Sequence, residues 1–312
     1  MQLVSILRGI APATLALWFA GTGVAAADHW PPPPSWQPAV PVVAVNTTFA
    51  EGCPIETRDG LSLLFASTRG GLGTNDIWAA DRADIAAPWG APRKLEAPIS
   101  LDGPADFCPN PFGRSLLFVS DRPGAGTCGA AAGGAGDIYL SRQSPAGGWS
   151  EPVHLACAPD GPNTPGAERS PSIIETWYGT FLFYSTNGPA GDNDIFVSRM
   201  RSDGTFGAGR VVESLSSPSD DLMPNVRERQ QGGFEIVFNS NRPSKECESI
   251  GSCGSQDVFT SVTWFLPGPW AQPVNLGSAI NTAGAEQRAT LSHDGRRMVF
   301  GRSGDIYVSE RY

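Results

Sequence analysis

The sequence predicts an all-β protein, a five-bladed β-propeller with four-stranded antiparallel blades. Three observations support this fold class. Two short hydrophobic motifs each occur five times along the 312 residues. No segment after residue 30 shows a 3.6-residue hydrophobic period, which argues against helices. The last repeat lacks its fourth strand, and a copy of that strand lies near the N-terminus, so the N-terminal strand is expected to close the last blade.

The first motif is a hydrophobic triplet, interpreted as the second strand of each blade. Its copies are Leu63-Leu64-Phe65, Leu116-Leu117-Phe118, Phe181-Leu182-Phe183, Ile236-Val237-Phe238 and Met298-Val299-Phe300. The second motif is interpreted as the third strand, with copies Asp76-Ile77-Trp78, Asp137-Ile138-Tyr139, Asp194-Ile195-Phe196, Asp257-Val258-Phe259 and Asp305-Ile306-Tyr307. Such short apolar runs between Gly, Pro, Asn and Asp are typical of strands. A strand ahead of each pair and a W-x-x-P tail behind it complete four strands.

The two chain ends complement each other. The fifth repeat stops at Tyr312, without a W-x-x-P tail. The segment from Trp36 to Asn46 resembles the tail from Trp270 to Asn281. We therefore expect the propeller to cover residues 36–312.

The N-terminal region has the features of an export signal. Residues 1–27 contain Arg8, an apolar run and small residues before Asp28, which is typical of a secretory signal peptide. Residues 28–35 are interpreted as a proline-rich linker. We expect a periplasmic or secreted protein with no integral membrane segment after signal cleavage, because no later apolar stretch approaches the spanning length. The net charge of -9 argues against a nucleic-acid partner.

All six cysteines follow the predicted signal, which suggests disulfide bonds in an oxidising compartment. Two pairs fall in loops at the same end of the blades: Cys128 with Cys157, and Cys247 with Cys253. Cys53 and Cys108 occupy equivalent places in neighbouring blades. Equivalent side chains point the same way around a ring and do not face each other, so the loops favour this third pairing less strongly than the other two.

The repeat elements resemble those of TolB-like propellers, relatives of the WD-repeat families. The resemblance lies in L-x-F-x-S-x-R, D-I-Y and G-W-x-x-P-V-x-L and covers residues 36–312. It implies a propeller fold and an exported binding scaffold. Two departures stand out: Phe206 replaces the tail tryptophan of the third repeat, and the fifth repeat lacks the S-x-R element.

Each repeat carries a carboxylate at the start of its first strand. In four repeats a proline follows the carboxylate by three residues, and in the fifth repeat Ala289 takes the place of the proline. The set is Glu51, Asp106, Glu168, Asp221 and Glu286. Because the first strand is innermost, we expect these acids around the axis near one mouth, as candidate ligand-binding residues. Like charges held close need compensation. One interpretation is a bound cation, Ca²⁺ or Mg²⁺, or a basic group of a partner. The other is hydrogen bonding within each loop, or pairing with an arginine such as Arg69, Arg122, Arg169, Arg242 or Arg288.

The long loops 121–136, 156–167 and 241–256 emerge at the same end as the acids, which makes that face the expected working surface. Our preferred functional prediction is an exported binding scaffold that recognises an envelope or extracellular protein, a glycan or a cation-bridged ligand. The alternative is a five-bladed glycoside hydrolase that uses axial carboxylates, and a structural spacer is a third possibility. Binding is favoured because the acids look symmetric and because no G-x-S-x-G, phosphate-binding or H-E-x-x-H motif is present.

Overall fold

The computed structural model describes residues 35–70, 74–122, 128, 136–187 and 193–312. Within them, 20 β-strands form five four-stranded antiparallel sheets, which confirms the predicted five-bladed propeller. The signal-peptide prediction for residues 1–27 and the linker prediction lie outside the described residues, apart from Ser35 at the end of the linker.

The blades follow one another along the chain, each beginning with its innermost strand. Blade 1 comprises β2 (Glu51–Glu56), β3 (Ser62–Ser67), β4 (Asp76–Asp81) and β5 (Arg93–Lys94); blade 2 comprises β6 (Asp106–Phe112), β7 (Ser115–Ser120), β8 (Asp137–Arg142) and β9 (Val153–His154). Blade 3 comprises β10 (Glu168–Thr176), β11 (Gly179–Thr186), β12 (Asp194–Arg199) and β13 (Arg210–Val211); blade 4 comprises β14 (Asp221–Glu228), β15 (Phe234–Ser240), β16 (Asp257–Thr263) and β17 (Val274–Asn275).

Blade 5 joins the two ends of the described chain. It contains β18 (Glu286–Leu291), β19 (Arg297–Arg302) and β20 (Asp305–Glu310), and its outermost strand is β1 (Val40–Pro41). Strand β1 pairs antiparallel with β20, with Val40 opposite Val308. The backbone N–H of Gln37 donates to the carbonyl of Glu310 at 2.8 Å. The predicted closure of the last blade by the N-terminal strand is confirmed.

The second strands form the core of the molecule because their side chains are buried on both faces of each blade. Leu63, Phe65 and Phe118 are among the fully buried residues. In blade 3 the strand register places Tyr184 opposite Phe196, as Phe65 lies opposite Trp78 in blade 1. The equivalent triplet in blade 3 is therefore Leu182-Phe183-Tyr184, one residue later than the sequence alignment predicted. This shift alters the site described below.

Among the described residues, one short helix interrupts the strands, and the absence of a helical period in the sequence did not predict it. Helix α1 (Lys245–Ile250) lies in the connection between β15 and β16, with Ser244 as its N-cap and Gly251 in the left-handed conformation at its end. It is six residues long and lies outside the sheets. Within the part of the chain described, no helix has the length and apolar character needed to cross a bilayer.

Candidate functional site

The innermost strands share a bulge that points one side chain of each blade toward the propeller axis. The register of each pairing shifts at the third and fourth residues of the strand. The third residue has a positive φ in all five blades although none is glycine: Cys53 (48°), Cys108 (49°), Ser170 (52°), Met223 (56°) and Arg288 (48°). We call these five residues the axial ring. Left-handed backbone at non-glycine residues is unfavourable, and bulges of this kind redirect side chains.

Arg288 crosses the axis. Its guanidinium donates to the carbonyls of Ser170 at 2.7 Å and Pro171 at 2.9 Å in blade 3, and to that of Pro224 at 3.2 Å in blade 4. Blade 3 is not a neighbour of blade 5 in a five-membered ring, so the side chain must span the channel. A positive charge at this depth opposes the binding of Ca²⁺ or Mg²⁺ at the same place, because like charges repel.

All three predicted disulfides are present. Cys53 pairs with Cys108 within the axial ring, with their Cα atoms 4.7 Å apart. The other two bonds, Cys128 with Cys157 and Cys247 with Cys253, close loops on the face that carries the long connections. Three disulfides in one chain indicate folding in an oxidising compartment.

The five predicted carboxylates are buried beside the axial ring rather than open to an axial mouth. The exposed fraction of Glu51 is 3% and that of the other four is 0%. Each accepts hydrogen bonds from its own preceding loop. In three blades a threonine four residues earlier donates through both its backbone N–H and its hydroxyl, as Thr47 does to Glu51 at 2.9 and 2.8 Å. Loop hydrogen bonding was the second sequence-based interpretation, and the ligand-binding role of the acids stays a prediction.

Four of the five carboxylates also pair with an arginine. The pairs are Glu51 with Arg69 (2.9 Å), Asp106 with Arg122 (2.6 Å), Asp221 with Arg242, and Glu286 with Arg302 (2.9 Å). Of the five arginines suggested from the sequence, Arg169 and Arg288 are not among these partners. Arg169 is exposed, and Arg288 lies in the axial ring. Arg302 stands opposite Glu286 in the strand register, where Ser67 stands opposite Glu51, so it replaces the missing S-x-R arginine.

Each of these arginines also donates to a carbonyl of the loop that precedes the carboxylate, at Val45, Ile99, Leu215 or Ile280. Blade 3 has no such arginine among the residues that the structure describes. There the Tyr184 hydroxyl donates to the equivalent carbonyl, that of Pro162, at 2.9 Å. The tyrosine therefore replaces the hydrogen bond of the arginine but not its positive charge.

Glu168 in blade 3 is consequently the exception among the five acids. Its Oε1 accepts hydrogen bonds from Thr164 and, at 2.9 Å, from the Thr186 hydroxyl, but its buried Oε2 has no hydrogen-bond partner among the described residues. Burial raises the pKa of Glu168 to about 8. The hydrogen bonds from Thr164 and Thr186 lower the pKa and so offset part of this effect, whereas the negative charge of Asp137 adds to it. The carboxyl group is therefore largely protonated at neutral pH.

A second polar cluster lies next to Glu168, at the junction of blades 2 and 3. The backbone N–H of Glu168 donates to the carbonyl of Gly136, the residue before Asp137. The Asp137 carboxylate lies 3.0 Å from Nε2 of His154, and the Asn163 amide lies 3.2 Å from the same nitrogen. Cys128 is near this cluster, but its sulfur is bonded to Cys157, so it is not available as a metal ligand.

The third-strand aspartates differ in the groups that they bind. Asp257 accepts from the Ser252 hydroxyl, in the turn before its strand, at 2.8 Å. Asp76 instead pairs with Lys94 of the fourth strand at 3.1 Å, and Asp137 contacts His154 in the equivalent position. The tail aromatics Trp270 and Phe206 are buried against the blades.

Comparison with known proteins gives the fold a context. No family model matches the chain, and no curated protein matches its sequence, so the TolB-like resemblance stays a prediction. Among solved structures, an α-L-arabinofuranosidase from Podospora anserina is 12% identical, with 89% of this chain and 97% of that chain covered and a TM-score of 0.59.

Two further solved structures are similar over the same extent. The catalytic domain of an α-L-arabinofuranosidase from Coprinopsis cinerea is 13% identical, covers 89% of this chain and 97% of its own, and has a TM-score of 0.58. An endo-arabinase from Bacteroides thetaiotaomicron is 14% identical, covers 89% and 98%, and has a TM-score of 0.53. At these identities the likeness establishes the five-bladed fold.

This finding corrects the functional prediction made from sequence. The preferred interpretation, a binding scaffold, is wrong, because these structural neighbours are glycoside hydrolases and favour the enzyme alternative. The structure also removes one of the two arguments for binding, the symmetry of the acids. The five acids are not equivalent, since Glu168 lacks the arginine that each of the other four contacts.

Proposed function

We propose that the chain is a periplasmic or secreted glycoside hydrolase that acts on a pentose-containing glycan, with Glu168 as its general acid. The observation that carries this proposal is the buried carboxyl of Glu168, the one innermost-strand acid of the five without an arginine partner among the described residues. Burial without a cation raises its pKa to about 8. A carboxylic acid that holds its proton at neutral pH is suited to protonating a leaving-group oxygen. Because the exposed fraction of Glu168 is 0%, this role requires the junction of blades 2 and 3 to open when the substrate binds.

Glycoside hydrolysis needs a second carboxylate in a different environment. Asp137 is the candidate, because its charge acts on Glu168 and its side chain is held by His154. A carboxyl whose pKa is raised, near a second carboxylate that a histidine holds in place, is the pairing expected of an acid and its partner. The choice of pentose follows the fold, since the neighbouring structures named above are arabinofuranosidases and an arabinase.

The test is direct. The purified mature chain is incubated with 4-nitrophenyl α-L-arabinofuranoside, 4-nitrophenyl β-D-xyloside, arabinan and arabinoxylan, and released nitrophenol or sugar is quantified. Glu168→Gln is expected to lower kcat by about 10²- to 10⁴-fold on the polysaccharides, the usual contribution of general acid catalysis. The loss should be smaller on the nitrophenyl substrates, because their leaving group needs less protonation. The wild-type rate should fall as the pH rises through about 8.

Glu51→Gln is the matched control, since Glu51 has the same place in blade 1 but pairs with Arg69. It removes an equivalent carboxylate and is expected to leave kcat near the wild-type value at a temperature where the variant is folded. Failure to cleave any of the four substrates, or a Glu168→Gln variant as active as the wild type, would refute the proposal.

A further inference from the structure

The axial ring contains a charge without a counter-charge. Arg288 has an exposed fraction of 0%, and no carboxylate among the described residues contributes to its protonation equilibrium. Burial lowers the pKa of Arg288 to about 9, which still leaves the guanidinium positively charged at neutral pH. A buried charge is unfavourable unless a charge of opposite sign or a full set of hydrogen bonds compensates it.

The hydrogen bonds of Arg288 are incomplete. A guanidinium carries five N–H donors. Nη1 makes two bonds to backbone carbonyls and Nη2 makes one. The buried Nε–H has no acceptor among the described residues. The carbonyls are neutral acceptors, so they solvate the cation without neutralising it.

A second buried donor belongs to the same ring. The Ser170 side chain is fully buried, and its hydroxyl contacts Sγ of Cys108 at 3.3 Å. A disulfide sulfur is a weak acceptor. The carbonyl of this same serine accepts from Arg288 at 2.7 Å, so Ser170 and the guanidinium are in direct contact.

We infer that the axial ring binds a small monovalent anion of the chloride class, held by the Arg288 guanidinium with the Ser170 hydroxyl as a second donor. The anion supplies the missing negative charge and an acceptor for Nε–H. It must be small because both side chains are enclosed. Neither Glu168 nor Asp137 takes part, so this site is independent of the proposed hydrolase activity.

The experiment compares thermal unfolding of the full mature chain in sodium gluconate and in sodium chloride at equal ionic strength. A ligand that binds only the folded state raises Tm by mass action. At a chloride concentration about 100 times its Kd, the expected rise is roughly 4 to 5 °C for a domain of this size. Bromide should act like chloride, and gluconate is too large to enter.

Arg288→Met should abolish the dependence of Tm on chloride, whereas Arg302→Gln, which removes an arginine that has a carboxylate partner, should retain it. Because Arg288→Met is a core substitution and a variant that does not fold gives no Tm, crystals of the wild type soaked in bromide provide an independent measurement. An anomalous bromide peak beside Arg288 is the expected result. Equal Tm values in chloride and gluconate, or bromide-soaked crystals without that peak, would overturn the inference.

Discussion

The carboxyl of Glu168 is buried with no arginine or lysine partner in the described part of the chain, whereas the four equivalent carboxylates each contact an arginine. In blades 1, 2 and 4 the arginine follows the last aromatic residue of the second-strand triplet by four residues, and the corresponding position in the sequence of blade 3 is Gly188. Tyr184 donates the hydrogen bond to Pro162 that an arginine donates in the other blades. A neutral donor in place of a cation leaves the acid more stable in its protonated form. Blade 3 therefore keeps the geometry of the repeat while the chemistry of its acid changes.

This difference predicts an effect on stability. The pKa of Glu168 is raised from 4.5 to about 8, so between these values the folded protein holds a proton that the unfolded chain releases. The contribution of Glu168 to the free energy of unfolding then decreases as pH rises through this window, by about 1.4 kcal/mol per pH unit. Glu168→Gln has no such proton. In urea unfolding, we expect the stability of this variant relative to wild type to increase steadily from pH 5 to pH 8.

The same experiment has an internal control in blade 1. Glu51→Gln breaks a buried ion pair and leaves Arg69 without its partner. Breaking a buried pair in this way costs about 3 to 5 kcal/mol. At pH 7 the two substitutions should therefore act in opposite directions. Parallel pH profiles for the wild type and Glu168→Gln would show that Glu168 is ionised in the folded protein.

At the scale of the element, ring closure depends on a short N-terminal segment. Only two residues of this segment form the strand β1. Trp36, in the same segment, has an exposed fraction of 7%. The Cζ atom of Arg311 lies 4.6 Å from the centroid of the Trp36 ring. Arg311 in turn donates to both oxygens of Glu235 in blade 4, at 2.9 and 2.7 Å. The last blade is therefore held to its neighbour through the residue that Trp36 covers.

Trp36→Ala is expected to lower the free energy of unfolding by about 3 to 5 kcal/mol, the usual cost of truncating a buried tryptophan. Val43→Ala, in the same segment, should change it by less than about 0.5 kcal/mol, because the exposed fraction of Val43 is 79%. Chemical denaturation followed by intrinsic fluorescence and by circular dichroism measures both values. Equal stabilities of the two variants would mean that the N-terminal segment does not hold the last blade.

The repeated elements of the fold were predictable because periodicity in a sequence reports periodicity in space. The five pairs of strand motifs, the closure by residues 36–46 and the three disulfides all follow from it. The departures were not predictable in the same way. In blade 3 the sequence Phe181-Leu182-Phe183-Tyr184 contains two possible triplets that end in an aromatic residue. The sequence alignment used the triplet that ends at Phe183, whereas the structure uses the one that ends at Tyr184. The Arg288 side chain points to the axis because its backbone has a positive φ within a bulge. A positive φ can be anticipated at a glycine, but an arginine in the sequence does not indicate one.

At the scale of the whole molecule, the net charge of -9 suggests a protein that attracts cations, and the five acids near the axis suggested where one would bind. The structure distributes these charges differently. Four of the acids have an arginine, the fifth is largely protonated at neutral pH, and the axis itself contains Arg288. The oxygen ligands that Ca²⁺ or Mg²⁺ requires are therefore already occupied or uncharged.

Divalent cations are accordingly expected to leave stability unchanged. The comparison is between the Tm in 5 mM CaCl₂ or MgCl₂ and the Tm in NaCl with EDTA, at matched ionic strength and matched chloride so that halide binding does not contribute. The expected difference is below about 1 °C. A specific site that stabilises the folded state by 1 kcal/mol would raise Tm by roughly 1.5 to 2 °C and would saturate with metal concentration. Such a rise would mean that some of the acids bind the metal in place of their arginines. In the axial part of the described chain, no other group of carboxylates lacks a positively charged partner.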